Sequence, residues 1–332
     1  ERYVGTFEGA VAQHAQRPAA TDGLTAKARA ATRTPELRAD HLLSMSDDTG
    51  LIQHAVRTVP DRSHGYCVDD NARGLLLATT LEHFGETSLP DLVASRFAAF
   101  VQHAFNPDNG RFRNFMSFDR RWLEPVGSED SHGRTLWALG DCARHAADPS
   151  RRQWAAALFA KALPVVENFR SPRAFASTLL GLVPYRAAHP NDEVAEQLQS
   201  LLSARLMASS AAVEAPDWTW FEEGLSYDNA RLPQALIATG LATRQGSLVR
   251  TGLGALNWLI AMQTAPSGVF RPVGSQSFGA LRAQPEPFDQ QPLEAAATIS
   301  ACVAAWNATG NLKWKIEAER AFAWFMGDND PA

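Results

Sequence analysis

The chain is short of cysteine, of basic runs and of long apolar stretches, and each shortage narrows what it can be. Its three cysteines, Cys67, Cys142 and Cys302, are odd in number and form no CxxC pair. That argues against a disulfide framework and for a reducing, cytoplasmic setting. Net charge is −5 across 332 residues and no basic run is present, so a nucleic-acid partner has no electrostatic support. No segment approaches the roughly 18–20 uninterrupted apolar residues of a membrane span. HxxxH and HExxH are missing, as are a phosphate loop and a dinucleotide fingerprint, so neither metal nor cofactor is expected. The string Asp69-Asp70-Asn71-Ala72-Arg73 lacks the second acid pair of a diphosphate site, which disfavours a terpene cyclase.

What is abundant is helix. Hydrophobic residues make up 45% of the chain and nine are Trp, enough for a sizeable core. Apolar runs of helical length, rich in Ala and Leu, fall at 36–45, 70–85, 91–105, 131–147, 150–168, 173–187, 192–209, 228–242, 246–263, 291–309 and 312–326. Residues 1–35 differ: a helix over Glu1–His14, then an Ala-, Thr-, Arg- and Pro-rich strap. The main domain is read as 36–328.

One phrase recurs at the heads of these runs. It reads Val68-Asp69-Asp70-Asn71-Ala72-Arg73, then Ser128-Glu129-Asp130-Ser131-His132-Gly133-Arg134, then Ser226-Tyr227-Asp228-Asn229-Ala230-Arg231. A looser copy is Phe288-Asp289-Gln290-Gln291-Pro292, and a head without an acid falls near Ser171-Pro172. Steps of about 50–60 residues fit a helix hairpin plus a long loop. Six such hairpins, the first including Ala39–Met45, close into an all-α (α/α)6 toroid with its inner-helix N-termini on one face. The aromatic stretches Phe115–Trp122 and Val273–Phe278 read as short strands or hairpins over that rim.

An acid at one helix head is ordinary capping. Four polar heads gathered on one rim point to chemistry. Glycoside hydrolysis needs one protonated and one ionised carboxyl, held roughly 6.5–9.5 Å apart in an inverting enzyme. The catalytic candidates are Asp70, Glu129, Asp130 and Asp228. Arg73 beside the Asp69-Asp70 pair favours an ionised base or anchor there, and the adjacent pair Glu129-Asp130 suits a general acid. Groups to bond hydroxyls or stack sugar rings are His54, Tyr66, Asp69, Arg73, His132, Arg134, Trp220, Asn229, Phe270, Asp289 and Gln290. Trp218, Trp220 and Tyr227 are the aromatics expected in the cavity.

Ser44–Arg73, Asn114–Leu123 and Gly127–Arg134 together resemble a helical domain of bacterial carbohydrate loci. That domain often follows a retaining group-1 GT-B glycosyltransferase in one polypeptide. The resemblance spans residues 38–328. It implies an (α/α)6 toroid akin to six-hairpin glycosidases and sugar 2-epimerases, without an assigned activity. Residues 1–20 would then fit the closing helix of a preceding transferase, which makes such a transferase a candidate partner beside the glycan itself. The leading expectation is an inverting glycoside hydrolase acting on an oligo- or polysaccharide. The rivals are a non-catalytic glycan-binding domain serving a transferase, and a sugar epimerase or isomerase working through His54, His64 or His132.

Overall fold

In the computed structural model residues 35–329 are described, apart from Thr87 and Glu214. The helix and strap expected over 1–35 lie outside these residues up to Thr34. From Ala39 onward the chain forms one compact unit.

Ten long helices pair into five hairpins among the described residues. They are α2 (Val68–His83) with α3 (Asp91–Ala104), and α4 (Glu129–His145) with α5 (Pro149–Ala162). Next come α6 (Pro172–Ala188) with α7 (Glu193–Val213), and α8 (Arg231–Thr243) with α9 (Gly246–Met262). The last is α10 (Pro292–Thr309) with α11 (Leu312–Phe325). The apolar runs mark all ten to within a few residues at most ends. Capping fixes several starts: Ser128 accepts from Ser131 N, Asp148 from Ser150 N and Ser171 from Ala174 N, the last two with Pro at the first helical position.

The even-numbered helices form the inner layer. Each packs on its own hairpin partner and on the next inner helix in chain order, α2 on α4, α4 on α6, α6 on α8, α8 on α10. This is an all-α (α/α)6 toroid. The apolar core runs through both layers. Inner helices are buried on more than one side, and every residue of α6 from Arg173 to Leu182 is buried. Among the described residues no helix is long and apolar enough to cross a membrane.

The first station departs from expectation. Instead of a helix pair ahead of Asp70 there is one short helix, α1 (Asp40–Ser44), and an antiparallel hairpin of β1 (Ile52–Val56) and β2 (Val59–Cys67). Its two-residue turn, Arg57-Thr58, places Arg57 at φ 59°, as tight hairpin turns require. A third strand, β5 (Phe115–Met116), pairs with the end of β2, and two short strands, β3 (Phe105–Asn106) and β4 (Arg111–Phe112), pair beside it. The expected strand over Val273–Phe278 is a 3-10 turn at Ser275–Ser277, because its amides turn inward to Gly274, Glu286 and Asp289 carbonyls rather than to a neighbouring strand.

The tightest inner contact is between α4 and α6. A Cβ built on Gly181 would lie 2.5 Å from the Leu136 carbonyl oxygen, and one on Gly140 would collide with the Gly181 carbonyl. The two backbones touch, so neither site has room for a methyl group. Gly181→Ala is expected to lower the urea-unfolding free energy by about 1–3 kcal/mol. Gly254, exposed on α9 with open space where its Cβ would be, is the control. Gly254→Ala should raise stability by about 0.5–1 kcal/mol through helix propensity alone.

Candidate active site

Strand β2 ends at Cys67 and α2 begins at Val68, so Asp69 and Asp70 occupy the first helical turn. The adjoining strand β5 is tied to this junction by Val68 N donating to the Asn114 carbonyl at 2.8 Å. Opposite stands the start of α4, with Asp130 in its first turn and Arg134 in its second. The turn before α8 brings Tyr227, and β1 brings His54. These elements enclose a cavity of about 320 Å³.

Arg134 organises the charges. It is 9% exposed, and its guanidinium donates to Asp69 at 3.0 Å and lies 3.6 Å from Asp228. Burial works against its charge, but Asp69, Asp228 and Asp130 outweigh that and hold it above its ordinary value. Arg73 reaches the same two acids at 3.4 and 3.9 Å, and Arg231 donates to Asp228 at 3.2 Å. Asp228 sits at φ 54°, in the left-handed region that Asp tolerates better than most residues.

The remaining two acids are held differently. Asp130 accepts from the Ser171 hydroxyl at 2.8 Å and from the Tyr227 hydroxyl. The Tyr227 ring lies between the Arg134 and Arg173 guanidinium groups, at 5.3 and 5.1 Å. Its hydroxyl is pushed up to about 12 by burial and by the bond to Asp130. Among the described residues the Asp70 carboxyl forms no hydrogen bond. Burial, then the neighbouring Asp69 charge, pushes it up to about 6 against the pull of Arg73 and Arg134.

The cavity thus gathers His54, Asp69, Asp70, Asp130, Arg134 and Tyr227 from the sequence candidates. Others are turned elsewhere. Glu129 accepts from the backbone N–H groups of Arg170 and Ser171, both at 2.8 Å, and so caps the entry to α6. His132 is fully buried, with Phe112 N donating to Nδ1 and Nε2 facing the Ala162 carbonyl at 3.0 Å. Burial, aided by the Arg111 charge, lowers it to about 3, so it is a neutral core residue rather than a ligand for hydroxyls. Tyr66 is buried and donates to Asp47 at 2.6 Å. Trp218 and Trp220 belong to the apolar core, Trp220 stacking on Trp258 at 5.5 Å. Phe270 fills a small separate core with Ala295 and Ala321. Asn229 is buried in bonds to Ser226, Arg173 and Glu294. Asp289 bonds Ser275, and Gln290 joins Pro287 to the Trp324 indole. These last two residues and Asp228 do not line the cavity.

Sequence reasoning passed over Glu294 and Arg173. Glu294 is fully buried, accepts from the Asp228 and Asn229 backbone amides and from the Asn229 side chain, and is pushed up to about 7 mainly by burial. Its signal was legible: a lone charge in the otherwise uncharged stretch 292–312. Among the described residues no group of three His, Cys, Asp or Glu is set to hold a metal ion. A larger recess of about 540 Å³ lies outside this site, between Glu167–Arg170 and the end of α7. It holds one acid, Glu167, and Arg205 there is already bonded to the Glu167 carbonyl, so it offers no carboxyl pair.

No protein-family model matches the chain, and no curated protein matches it. Solved structures share its fold. Cellobiose 2-epimerase from Bacillus thermoamylovorans superposes with a TM-score of 0.69 at 8% identity, over 87% of this chain and 84% of that one. A D-mannose isomerase gives 0.63 at 9% identity, over 86% and 83%. A glycoside hydrolase gives 0.52 at 13% identity, over 77% of this chain and 45% of that one. At these identities the likeness is one of architecture, that of six-hairpin glycosidase-like toroids.

The Asp70 environment has a measurable consequence. Its carboxyl holds a proton in the folded state up to about pH 6, against an ordinary value of 3.8. The stability this gives is complete below the ordinary value and is lost as pH rises through 6. Asp70→Asn cannot ionise and keeps it. Urea unfolding above pH 7 should therefore find Asp70→Asn more stable than the parent by about 1–3 kcal/mol, relative to their difference at pH 4. Parallel pH curves for the two proteins would contradict the burial argument.

Proposed function

We propose that the chain is a carbohydrate-active enzyme that hydrolyses glycosidic bonds, with Asp70 as general acid and Asp130 as general base. The observation that carries this reading is Asp70 itself. It is a half-buried carboxyl that faces the cavity, forms no hydrogen bond among the described residues, and keeps its proton to about pH 6. That is the state a proton donor needs near neutrality. The sequence reading gave the base role to Asp70 or Asp228 and the acid role to Glu129 or Asp130. The roles reverse because Arg73 pairs with Asp69 rather than Asp70, and Glu129 is committed to backbone amides.

In the proposed step Asp70 gives its proton to the glycosidic oxygen as the bond to the anomeric carbon breaks. Water attacks that carbon and passes a proton to Asp130. The products are the shortened glycan and a sugar hemiacetal; Asp130 then releases its proton to solvent and Asp70 takes one back, so that both acids return to their starting states. Asp69 and Arg134, held by each other, would bond sugar hydroxyls, and Phe115 offers a ring face. The fold shared with sugar epimerases, a sugar isomerase and a glycoside hydrolase supports a carbohydrate substrate. The shared fold supports epimerisation at C2 equally, and the choice against it here rests on the cavity's imidazoles. His132 is a neutral core residue, and the remaining cavity imidazole, His54, sits on an exposed strand with its ring edge-on to His64 at 4.4 Å.

The test is a panel of α- and β-linked oligosaccharides followed by proton NMR of the anomeric products, run in deuterated water. Release of sugars with inverted configuration is expected, with a rate that falls as pH rises through about 6. Asp70→Asn and Asp130→Asn should each lose about 10²–10⁴-fold in kcat while still binding the glycan. Deuterium entering C2 without bond cleavage would mean an epimerase. Binding with no turnover would mean a glycan-holding domain, such as one serving an attached transferase.

A further inference from the structure

We infer that Glu294 is a positioning residue: from the first turn of α10 it clasps the turn Ser226–Asn229 and thereby keeps the Tyr227 hydroxyl on the Asp130 carboxylate. The inference rests on the proposed role of Asp130 for its meaning in catalysis, but its geometry is independent of that role.

A carboxyl with no exposed surface is costly unless its oxygens are bonded. Glu294 meets that condition with three donors, all from two residues: Asp228 N on one oxygen, Asn229 N at 3.3 Å and Asn229 Nδ2 at 2.9 Å on the other. The donors are there because the left-handed conformation of Asp228 turns successive amides away from α8, where no helical carbonyl can take them. Arg173 holds the turn from the opposite side. Its Nε donates to the Tyr227 carbonyl at 2.8 Å, its Nη2 to Asn229 Oδ1 at 3.3 Å, and its remaining nitrogen to Glu222. From the turn held by these two clasps the Tyr227 side chain runs past Arg134 and onto Asp130. Glu294 does not line the cavity, so whatever it does to the reaction it does through the turn.

The experiment reads Tyr227 directly. Protein labelled with 13C at the tyrosine ring Cζ contains four tyrosines, and the Tyr227 resonance is the one lost in Tyr227→Phe. In Glu294→Gln, which keeps the shape but puts an NH2 donor where one of the two acceptor oxygens stood, that resonance is expected to move toward the position of a free tyrosine. On a glycan that the parent cleaves, kcat should fall by up to about a hundredfold with KM little changed, since a misplaced base loses rate before it loses binding. An unmoved Tyr227 resonance in folded Glu294→Gln would overturn the inference, whatever the activity. If the parent cleaves no glycan, the proposed function fails while the tyrosine signal still decides this one. Should Glu294→Gln not fold, amide exchange in the parent decides. Asp228 and Asn229 amides protected as well as the body of α10 support the clasp, and exchange at the rate of an open loop overturns it.

Discussion

The rim depends on one buried cation. Arg134, on α4, reaches Asp69 from α2 and Asp228 from the turn before α8, so a single guanidinium joins three stations of the ring. The planar fork of Arg suits this task, since its two terminal nitrogens can serve different acids at a fixed angle. Lys would offer one point charge and lose one of the two. Remove the cation and Asp69 keeps only the half-exposed Arg73 at 3.4 Å, while Asp228 keeps Arg231 at 3.2 Å, and among the described residues nothing then ties α4 to the other two stations through this cluster. The joint ties the head of α2, through Asp69, to the turn that carries Tyr227, through Asp228.

The same joint explains why Asp70 is the acid left with a proton. Arg73, Arg134 and Arg231 are matched by Asp69 and Asp228, which draw all three guanidinium groups toward themselves. Asp130 has hydroxyl donors from Ser171 and Tyr227. Asp70 is adjacent to a carboxylate, receives no donor among the described residues and is largely removed from water. Both terms favour its neutral form, and the more distant cations only partly offset them. A proton-holding carboxyl here follows from burial beside the Asp69 charge, with no hydrogen bond among the described residues to offset either.

Much of the fold was legible in the chain. Ala- and Leu-rich runs of helical period marked ten helices, and the recurrence of Asp- and Asn-bearing heads marked which of them face inward. The first station was not legible, because a hairpin held by nine-residue and five-residue strands with polar, exposed outer halves carries little apolar alternation. The candidate cavity was legible in part of its lining. Asp69, Asp70, Asp130 and Arg134 were all found by position in the repeated phrase. Which acid of an adjacent pair stays free was not, since that depends on partners far away in sequence. Glu129 finds amides at 170 and 171, Asp130 finds hydroxyls at 171 and 227, and Asp69 finds Arg134. The aromatics misled for a related reason. Trp218 and Trp220 lie in a loop, but that loop folds back over the outer layer and packs into the core.

A ring of inner helices creates a specific problem at its rim. Each helix start presents amides without intrahelical partners, and the turns leading into the helices add more. Acids are the natural acceptors, so a rim rich in Asp and Glu is what the architecture alone calls for. Glu129 and Glu294 answer that need across neighbouring stations, each accepting from amides on a different segment. An acid that has done so is fixed and already bonded, and has little left to offer a substrate. On the function proposed above, the proton donor is an acid that the amides did not claim. Asp70 stands in the first turn of α2 yet accepts none of these bonds, and it faces the cavity. By that argument the informative acid on a toroid's rim is the one that fails to cap anything, and the surrounding caps are what make its position exact enough to use.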